Sequence, residues 1–311
     1  MDWIERLNKA IVHIDAHITE DIDYAQLAKI ACCSSYQFQR MFSYIANVPL
    51  SEYIRRRKMS LAAVDLLNGD KVLDTALKYG YTSPTAFNRA FQGIHGIPPS
   101  QAKGNNVKSY PKINFKLIAK GVEEMEFRIE KHDAIRVVGI STPLSPNVEQ
   151  AYLEGEALWL KVMFEGAPKD EEGDYLAYGA LVDELNAAVN VKYPDGSITK
   201  YNGFFAIETT QHNGGKYMIA VASPMPESNN LKEYTIPAHT WAVFPGKNFF
   251  ADEYSDVDAA TQLEARLYSE WLPSSGYEIA DDINVNFILP TNDLTIAPFE
   301  IWLPVKKATS R

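Results

Sequence analysis

Cysteine is nearly absent from this chain: two in 311 residues, adjacent as Cys32-Cys33. Chain neighbours cannot staple distant segments, so a disulfide framework is excluded and a cytoplasmic, reducing compartment is expected. Long apolar runs are missing too. No stretch approaches the roughly 20 residues that a membrane span needs, and the opening Met1-Asp2-Trp3-Ile4-Glu5-Arg6 is amphipathic rather than signal-like. A membrane partner is therefore not expected. Metal chemistry is poorly provided for: His13 and His17 lie one helical turn apart, but no third ligand accompanies them, so they read as surface or capping residues. No Ser/His/Asp or Cys/His arrangement is visible, which weighs against an enzyme, and no cofactor is expected. A positive net charge is lacking as well, at −10, which at first sight argues against nucleic acid.

What is present reverses that last inference. Residues 1–120 hold 16 Lys+Arg against 10 Asp+Glu, whereas residues 121–311 hold 14 against 30. A basic front joined to an acidic back is the pattern of a nucleic-acid-binding module fused to something else. The length favours about two domains. The front half also repeats itself at a spacing of about 49 residues: Ser34 falls on Ser83, Phe38 on Phe87, Arg40 on Arg89, Phe42 on Phe91, Ile45 on Ile94 and Pro49 on Pro98. Each copy reads as a short helix with a serine at its start and two Phe one turn apart on a buried face. Each follows a shorter helix and a tight turn, Cys32-Cys33-Ser34 in the first copy and a turn at Gly80 in the second. The second turn carries one extra residue. Helix, tight turn, helix is the arrangement that places its second helix in the major groove. A longer helix over residues 51–67 joins the copies and opens with Arg55-Arg56-Arg57-Lys58.

The stretches from Leu27-Ala28 to Phe42, Tyr53 to Met59, and Ala76 to Pro99 with Gly80-Tyr81 and Gly96-Ile97-Pro98-Pro99 resemble the DNA-binding domain of the AraC/XylS regulators. The resemblance implies an all-α domain of two helix-turn-helix units over residues 1–104, bound to double-stranded promoter DNA. It places Ser35, Tyr36, Gln39, Arg40 and Ser43 of the first reading helix and Thr85, Asn88 and Arg89 of the second toward DNA. Arg suits guanine, and Gln or Asn suits adenine. Arg55 and Arg57 are expected on phosphates, with structural ion pairs as the competing reading of that basic run. Pro84 sits where a side chain could have contacted DNA, so Tyr36, Gln39 and Arg40 are expected to carry more of the specificity.

Residues 105–121 read as a basic, weakly patterned linker, and residues 122–308 as a second domain. Alternation predicts strands over 125–131, 134–140, 175–182, 204–207 and 217–222, and helices over 147–164 and 256–271. A second internal repeat, at a spacing of 107, sets Ile129 on Ile236, His132 on His239, Val137 on Phe244 and Gly139 on Gly246. Two tandem strand-strand-helix-strand-strand units, ββαββ, would make an α+β domain with a ligand site between its halves. The runs Tyr234 to Phe244, Glu270-Trp271-Leu272-Pro273-Ser274-Ser275-Gly276-Tyr277-Glu278 and Phe299 to Val305 resemble the GyrI-like effector-binding domain. That resemblance implies a small hydrophobic effector, cationic in many such domains, held by aromatic walls and a carboxylate. Tyr178, Trp241, Asn286, Glu300 and Trp302 are the candidates, with core packing as the alternative for the aromatics and a hydrogen-bonded structural role as the alternative for Glu300. Asn286 stands where the carboxylate is expected. By alternation Asn284 and Asn286 would face the site, while Val285, Phe287 and Leu289 pack on helices. The expected function is a transcription regulator switched by a small molecule, with RNA polymerase as a further partner and activation as the output. A small-molecule hydrolase or a ligand-sequestering module fused to a DNA-binding domain is the alternative.

Overall fold

The computed structural model describes residues 3–116, 124–145, 148–173, 177–211, 214–247, 249, 259–289 and 297–308. The chain divides into two compact units, residues 1–118 and 119–311.

In the first unit, α1 (Trp3–Ala16) turns Leu7, Ala10, Ile11 and Ile14 inward. They meet α2 (Tyr24–Ala31) and α3 (Ser35–Ala46) in one core with Leu27, Phe38 and Phe42. Asp23 caps α2 and Ser34 caps α3, each accepting an early backbone N–H. The second core repeats the plan, with α5 (Val72–Lys78) and α6 (Pro84–His95) supplying Ala76, Phe87, Phe91 and Ile94. All four Phe of the sequence repeat are fully buried, each stabilising its core by about 1.5–3 kcal/mol. The turns match as well: Cys32 and Gly80 hold equivalent places, with φ of 59° and 84°. Both are left-handed, a conformation glycine adopts without strain.

The long helix α4 (Leu50–Asn68) belongs to both cores. Its first half gives Leu50, Tyr53 and Ile54 to one, and its second half gives Met59, Ala62, Ala63 and Leu66 to the other.

Residues 105–116 have no helix or strand, as expected of a linker, but they are pinned to the helices. The backbone N–H of Lys108 donates to Nδ1 of His95 (3.0 Å), that of Tyr110 to Ser60 Oγ (2.8 Å) and that of Phe115 to Asn8 Oδ1 (2.8 Å), while Asn8 Nδ2 donates to the Phe115 carbonyl (2.9 Å). Phe115 also meets Phe42 edge-on at 5.9 Å. The sequence pattern did not show this, because a strap held through its backbone needs no side-chain periodicity.

The second unit is built on an antiparallel sheet. In chain order its elements are β1 (Arg128–His132), β2 (Ile135–Leu144), α7 (Val148–Phe164), α8 (Ala180–Val189), β3 (Phe204–Gln211), β4 (Gly214–Ala222), β5 (Lys232–Ile236), β6 (His239–Gly246), α9 (Ala259–Arg266), α10 (Leu272–Ser274), β7 (Tyr277–Ile279), β8 (Ile283–Ile288) and β9 (Phe299–Lys307). A π-helical turn, Leu267–Trp271, joins α9 to α10. The strand order is β1-β6-β9-β8-β3-β4-β2-β5, with β7 paired to β9. Val138, Ile140, Ile219 and Val221 pack under α7 and α8.

Two expectations need correcting. The segment expected as a strand over 175–182 leads into helix α8; residues 174–176 lie outside the described ones. Val182, Leu185 and Ala188 are buried at a spacing of three, a helical period in an apolar run too short to betray it. The 107-residue repeat also fails as a register. Val137 and Phe244, which it equates, point to opposite faces: Val137 clusters with Trp241 and Trp302, whereas Phe244 meets Trp271 edge-on at 4.8 Å. An odd offset inverts every side chain of a period-two strand. His132 and His239 are cross-strand partners in the β1–β6 pair.

His95 generates a pH prediction. It is buried, with Nδ1 accepting from Lys108 N–H, so Nε2 carries the proton and donates to the Met59 carbonyl (3.1 Å). Burial lowers its pKa below the ordinary 6.5. The unfolded chain therefore takes up a proton that the folded unit resists, and this contribution to stability, complete above pH 6.5, is lost as pH falls below it. Denaturant titrations of the full chain between pH 5 and 7.5 should show this loss, and His95→Gln should flatten it.

Candidate nucleic-acid and effector sites

The helix-turn-helix units place the expected reading residues differently. On α6, Thr85, Asn88 and Arg89 are exposed, with Pro84 at the first helical position, where a missing N–H costs nothing. On α3, Tyr36 and Arg40 are half-buried. Arg40 Nε donates to the Tyr44 hydroxyl (3.2 Å), and its guanidinium carbon lies 5.6 Å from the Tyr44 ring centroid. Ser35 starts the helix, and its carbonyl accepts from Gln39 Nε2 (3.3 Å); the Gln39 carbonyl in turn accepts from Ser43 Oγ (2.9 Å). Gln39, expected on the exposed face, is in fact buried, at 8% exposure. Its amide is spent on its own helix.

The basic run on α4 divides in the same way. Arg55 is exposed and paired with Glu52, which also accepts from Arg56 (2.6 Å). Arg57, expected near phosphate, is buried instead. Its Nε and Nη2 both donate to Asp15 Oδ1 (3.0 and 2.7 Å), and its Nη1 donates to the Tyr110 carbonyl (2.7 Å). One guanidinium thus ties α4 to α1 and to the strap. Sequence spacing alone does not separate Arg57 from its neighbours; its burial follows from its position on the inner side of α4. Lys58 is likewise occupied, donating to the carbonyls of Glu20 (3.0 Å) and Tyr79 (3.3 Å), and burial lowers its pKa.

In the second unit an aromatic cluster sits on one side of the sheet. Strand residues alone build it: Trp241, Trp302, Phe205, Phe287, Val285, Met218 and others, with Tyr201 and Leu289 packed against it. Trp241 and Trp302 are 0% and 2% exposed and stand 6.0 Å apart. Both therefore occur as core residues. Tyr178 is exposed, precedes α8, and lies 6.3 Å from Phe164.

At the edge of the cluster is a polar network. Arg128 donates through Nη2 to Glu300 Oε1 (2.6 Å) and through Nε to Glu130 Oε1 (2.7 Å). Trp302 Nε1 donates to the other oxygen of Glu300 (2.9 Å). His132 Nε2 donates to Glu130 Oε2 (2.7 Å), its Nδ1 accepts from the Tyr201 hydroxyl (2.9 Å), and its ring stacks on Trp302 at 4.6 Å. Burial raises the Glu130 pKa, but the hydrogen bonds from Arg128 and His132 outweigh it and hold the carboxyl below its usual range. Glu300 and Trp302 thus come together, with Glu300 hydrogen-bonded on both oxygens. Arg128, Glu130, His132 and Tyr201 were missed. The alternation Arg128, Glu130, His132 on one strand face was the available signal.

Asn286 is the clearest reversal. Val285, Phe287 and Leu289 belong to the aromatic cluster. Asn284 and Asn286 therefore face the other way, and Asn284 Oδ1 accepts from Tyr268 of the π-helical turn (3.4 Å). Among the described residues, the buried Oδ1 of Asn286 and Nε1 of Trp241 have no hydrogen-bond partner. The face was misread because alternation separates Asn284 and Asn286 from Val285 and Phe287 on β8 but does not say which of the two faces the helices cover.

Two helix-turn-helix units around a shared helix, and a separate sheet domain with an aromatic face, define a transcription regulator with an appended ligand domain. Comparison with known proteins agrees. A helix-turn-helix domain model matches residues 27–105, and the model of the GyrI-like small molecule binding domain matches residues 125–306. The chain belongs to the AraC-type regulators that carry a GyrI-like small molecule binding domain. It is 38% identical over 88 residues to the regulatory protein SoxS of Salmonella typhimurium, covering 28% of this chain and 82% of that one. It is 34% identical over 95 residues to the HTH-type transcriptional activator AarP of Providencia stuartii, covering 30% and 70%. A solved structure of a putative bacterial transcription regulation protein from Staphylococcus aureus MU50 is 16% identical, covers 59% of this chain and 99% of that one, and has a TM-score of 0.44. The matched families and relatives are regulators, and none is a catalytic family. Among the described residues no helix is long and apolar enough to cross a membrane.

Breaking the Arg57 pair would leave Asp15 and the Tyr110 carbonyl without their donor. Arg57→Ala is expected to destabilise the first unit by about 3 kcal/mol. DNA affinity measured well below the melting temperature should be unchanged, which a chemical denaturation curve beside a mobility-shift titration will check.

Proposed function

We propose that α3 and α6 enter successive major-groove segments of one promoter site. Tyr36, Arg40, Thr85, Asn88 and Arg89 then lie on the groove-facing sides of the two helices, with Arg40 engaged by Tyr44, while Ser35, Ser43 and Arg55 lie toward the backbone. The observation that carries this is the paired design: two capped helices with buried Phe pairs, both fixed to one helix, α4. A spacing of about one duplex turn, roughly 34 Å, would let a single chain read both segments. Gln39 and Arg57 drop out of the contact set. AarP is named an activator, and we read this chain as a cytoplasmic activator that works with RNA polymerase.

We further propose that the second unit consists of two ββαββ repeats. The strand order supports this: exchanging β1 with β5, β2 with β6, β3 with β8 and β4 with β9 turns it into its own reverse. Its effector is a small hydrophobic molecule held against the aromatic face near Trp241, Trp302 and Tyr201. A lipophilic cation entering there meets carboxylates that are already served, since Arg128 occupies both Glu300 and Glu130. A cation must displace a guanidinium tethered in place. Binding, rather than hydrolysis or sequestration, is the role these residues suit.

Two measurements test these readings. In a mobility-shift titration, Arg89→Ala should weaken binding to a selected site by about 1–3 kcal/mol while leaving non-specific DNA affinity nearly unchanged. For the effector site, Arg128→Gln should tighten binding of methyltriphenylphosphonium by about tenfold, or 1.4 kcal/mol. Calorimetry showing equal or weaker binding would refute the role given to Arg128.

A further inference from the structure

The two reading helices carry the same arginine in different settings. At the 49-residue spacing Tyr36, Gln39, Arg40, Ser43 and Tyr44 fall on Thr85, Asn88, Arg89, Gln92 and Gly93. On α3 the polar groups bond within the helix: Gln39 to the Ser35 carbonyl, Ser43 to the Gln39 carbonyl, and Arg40 to the Tyr44 hydroxyl and ring one turn away. On α6, Thr85, Asn88, Arg89 and Gln92 are all exposed. Asn88 is one methylene shorter than Gln39. The position that holds Arg40 in place is a glycine in the second copy, so nothing one turn beyond Arg89 can clamp it.

Gly93 carries a second message. Glycine is a poor helix former, and its usual structural reasons are missing here. A Cβ at Gly93 would meet nothing within 4 Å, and Gly93 lies in the last turn of α6 with helical backbone, the left-handed cap position being taken by Gly96. The protein does not require the bare backbone. Open space on the exposed side of a reading helix suits close approach of a DNA strand.

From these observations we infer that α6 is the discriminating reader, Arg89 and Gln92 its base-facing residues, and Tyr44 a positioning residue that holds Arg40 back from the bases. This inverts the expectation from residue type alone, which favoured α3 for its Tyr36, Gln39 and Arg40. It rests on the reading of α3 and α6 as the DNA-facing helices. For Arg40 to reach a base it must give up both the hydroxyl and the ring of Tyr44. Arg89 surrenders only water.

The test uses the full chain and a site selected from random duplexes. Arg89→Ala should raise the Kd for that site about 10- to 100-fold, and Gly93→Tyr, which restores the clamp of the first helix, should act in the same direction. Arg40→Ala should raise it less than about threefold, since its side chain is already engaged. In a Tyr44→Phe background the hydroxyl is gone, and Arg40→Ala should then cost more than it does alone. Equal losses from Arg40→Ala and Arg89→Ala, or a larger loss from Arg40→Ala, would overturn the inference. If neither arginine variant changes binding to the selected site, the assignment of these helices to DNA has itself failed, a result distinct from a reversed ranking. Arg89 is exposed, so its variant tests the idea even if Gly93→Tyr does not fold.

Discussion

Each helix-turn-helix unit has a core too small to fix its orientation toward the other, and α4 removes that freedom by being a wall of both. Its first half packs with Phe38 and Phe42, and its second half with Phe87 and Phe91. The relative placement of α3 and α6 therefore comes from apolar packing on α4, to which Arg57 adds stability. Arg57 is the fastener: one guanidinium reaches α1 through Asp15 and the strap through the Tyr110 carbonyl. A charge in that place leaves the DNA-facing set and enters the structural one.

The strap extends the same logic. Residues 105–116 lie along the helices through bonds to His95, Ser60, Tyr53 and Asn8, which belong to α6, α4 and α1. The segment leading toward the ligand domain is thus attached to the last turn of the second reading helix.

In the ligand domain the sheet sets the terms. An aromatic face built from strand residues alone is bordered by Arg128, Glu130, His132 and Glu300, in which one guanidinium serves both carboxylates. Such a border favours ligands by shape and apolar area, and it disfavours a net charge unless a resident group moves.

Much of this was legible in the chain. The Phe pairs at helical spacing, the serine caps and the turn at Gly80 are local signals, and they gave the two units and the family. The acidic back half and its strands were legible for the same reason. What tertiary structure alone decided is which of several similar side chains remained available. Arg55 and Arg57 are indistinguishable by their place in the basic run, and only the fold brings Asp15, 42 residues away, to Arg57; Arg40 and Arg89 differ in the residue one turn on, Tyr44 or Gly93, and the structure shows that the contact with Tyr44 forms. The face of Asn286 was undecidable for a related reason: alternation parts the two faces of β8, and only its neighbours say which face meets the helices. The sequence by itself determined the elements and the class of protein, since caps and periodicity act within one or two turns. The partners of the polar groups that join distant elements were decided by contacts across as many as 172 residues, as between Arg128 and Glu300, which no local pattern encodes.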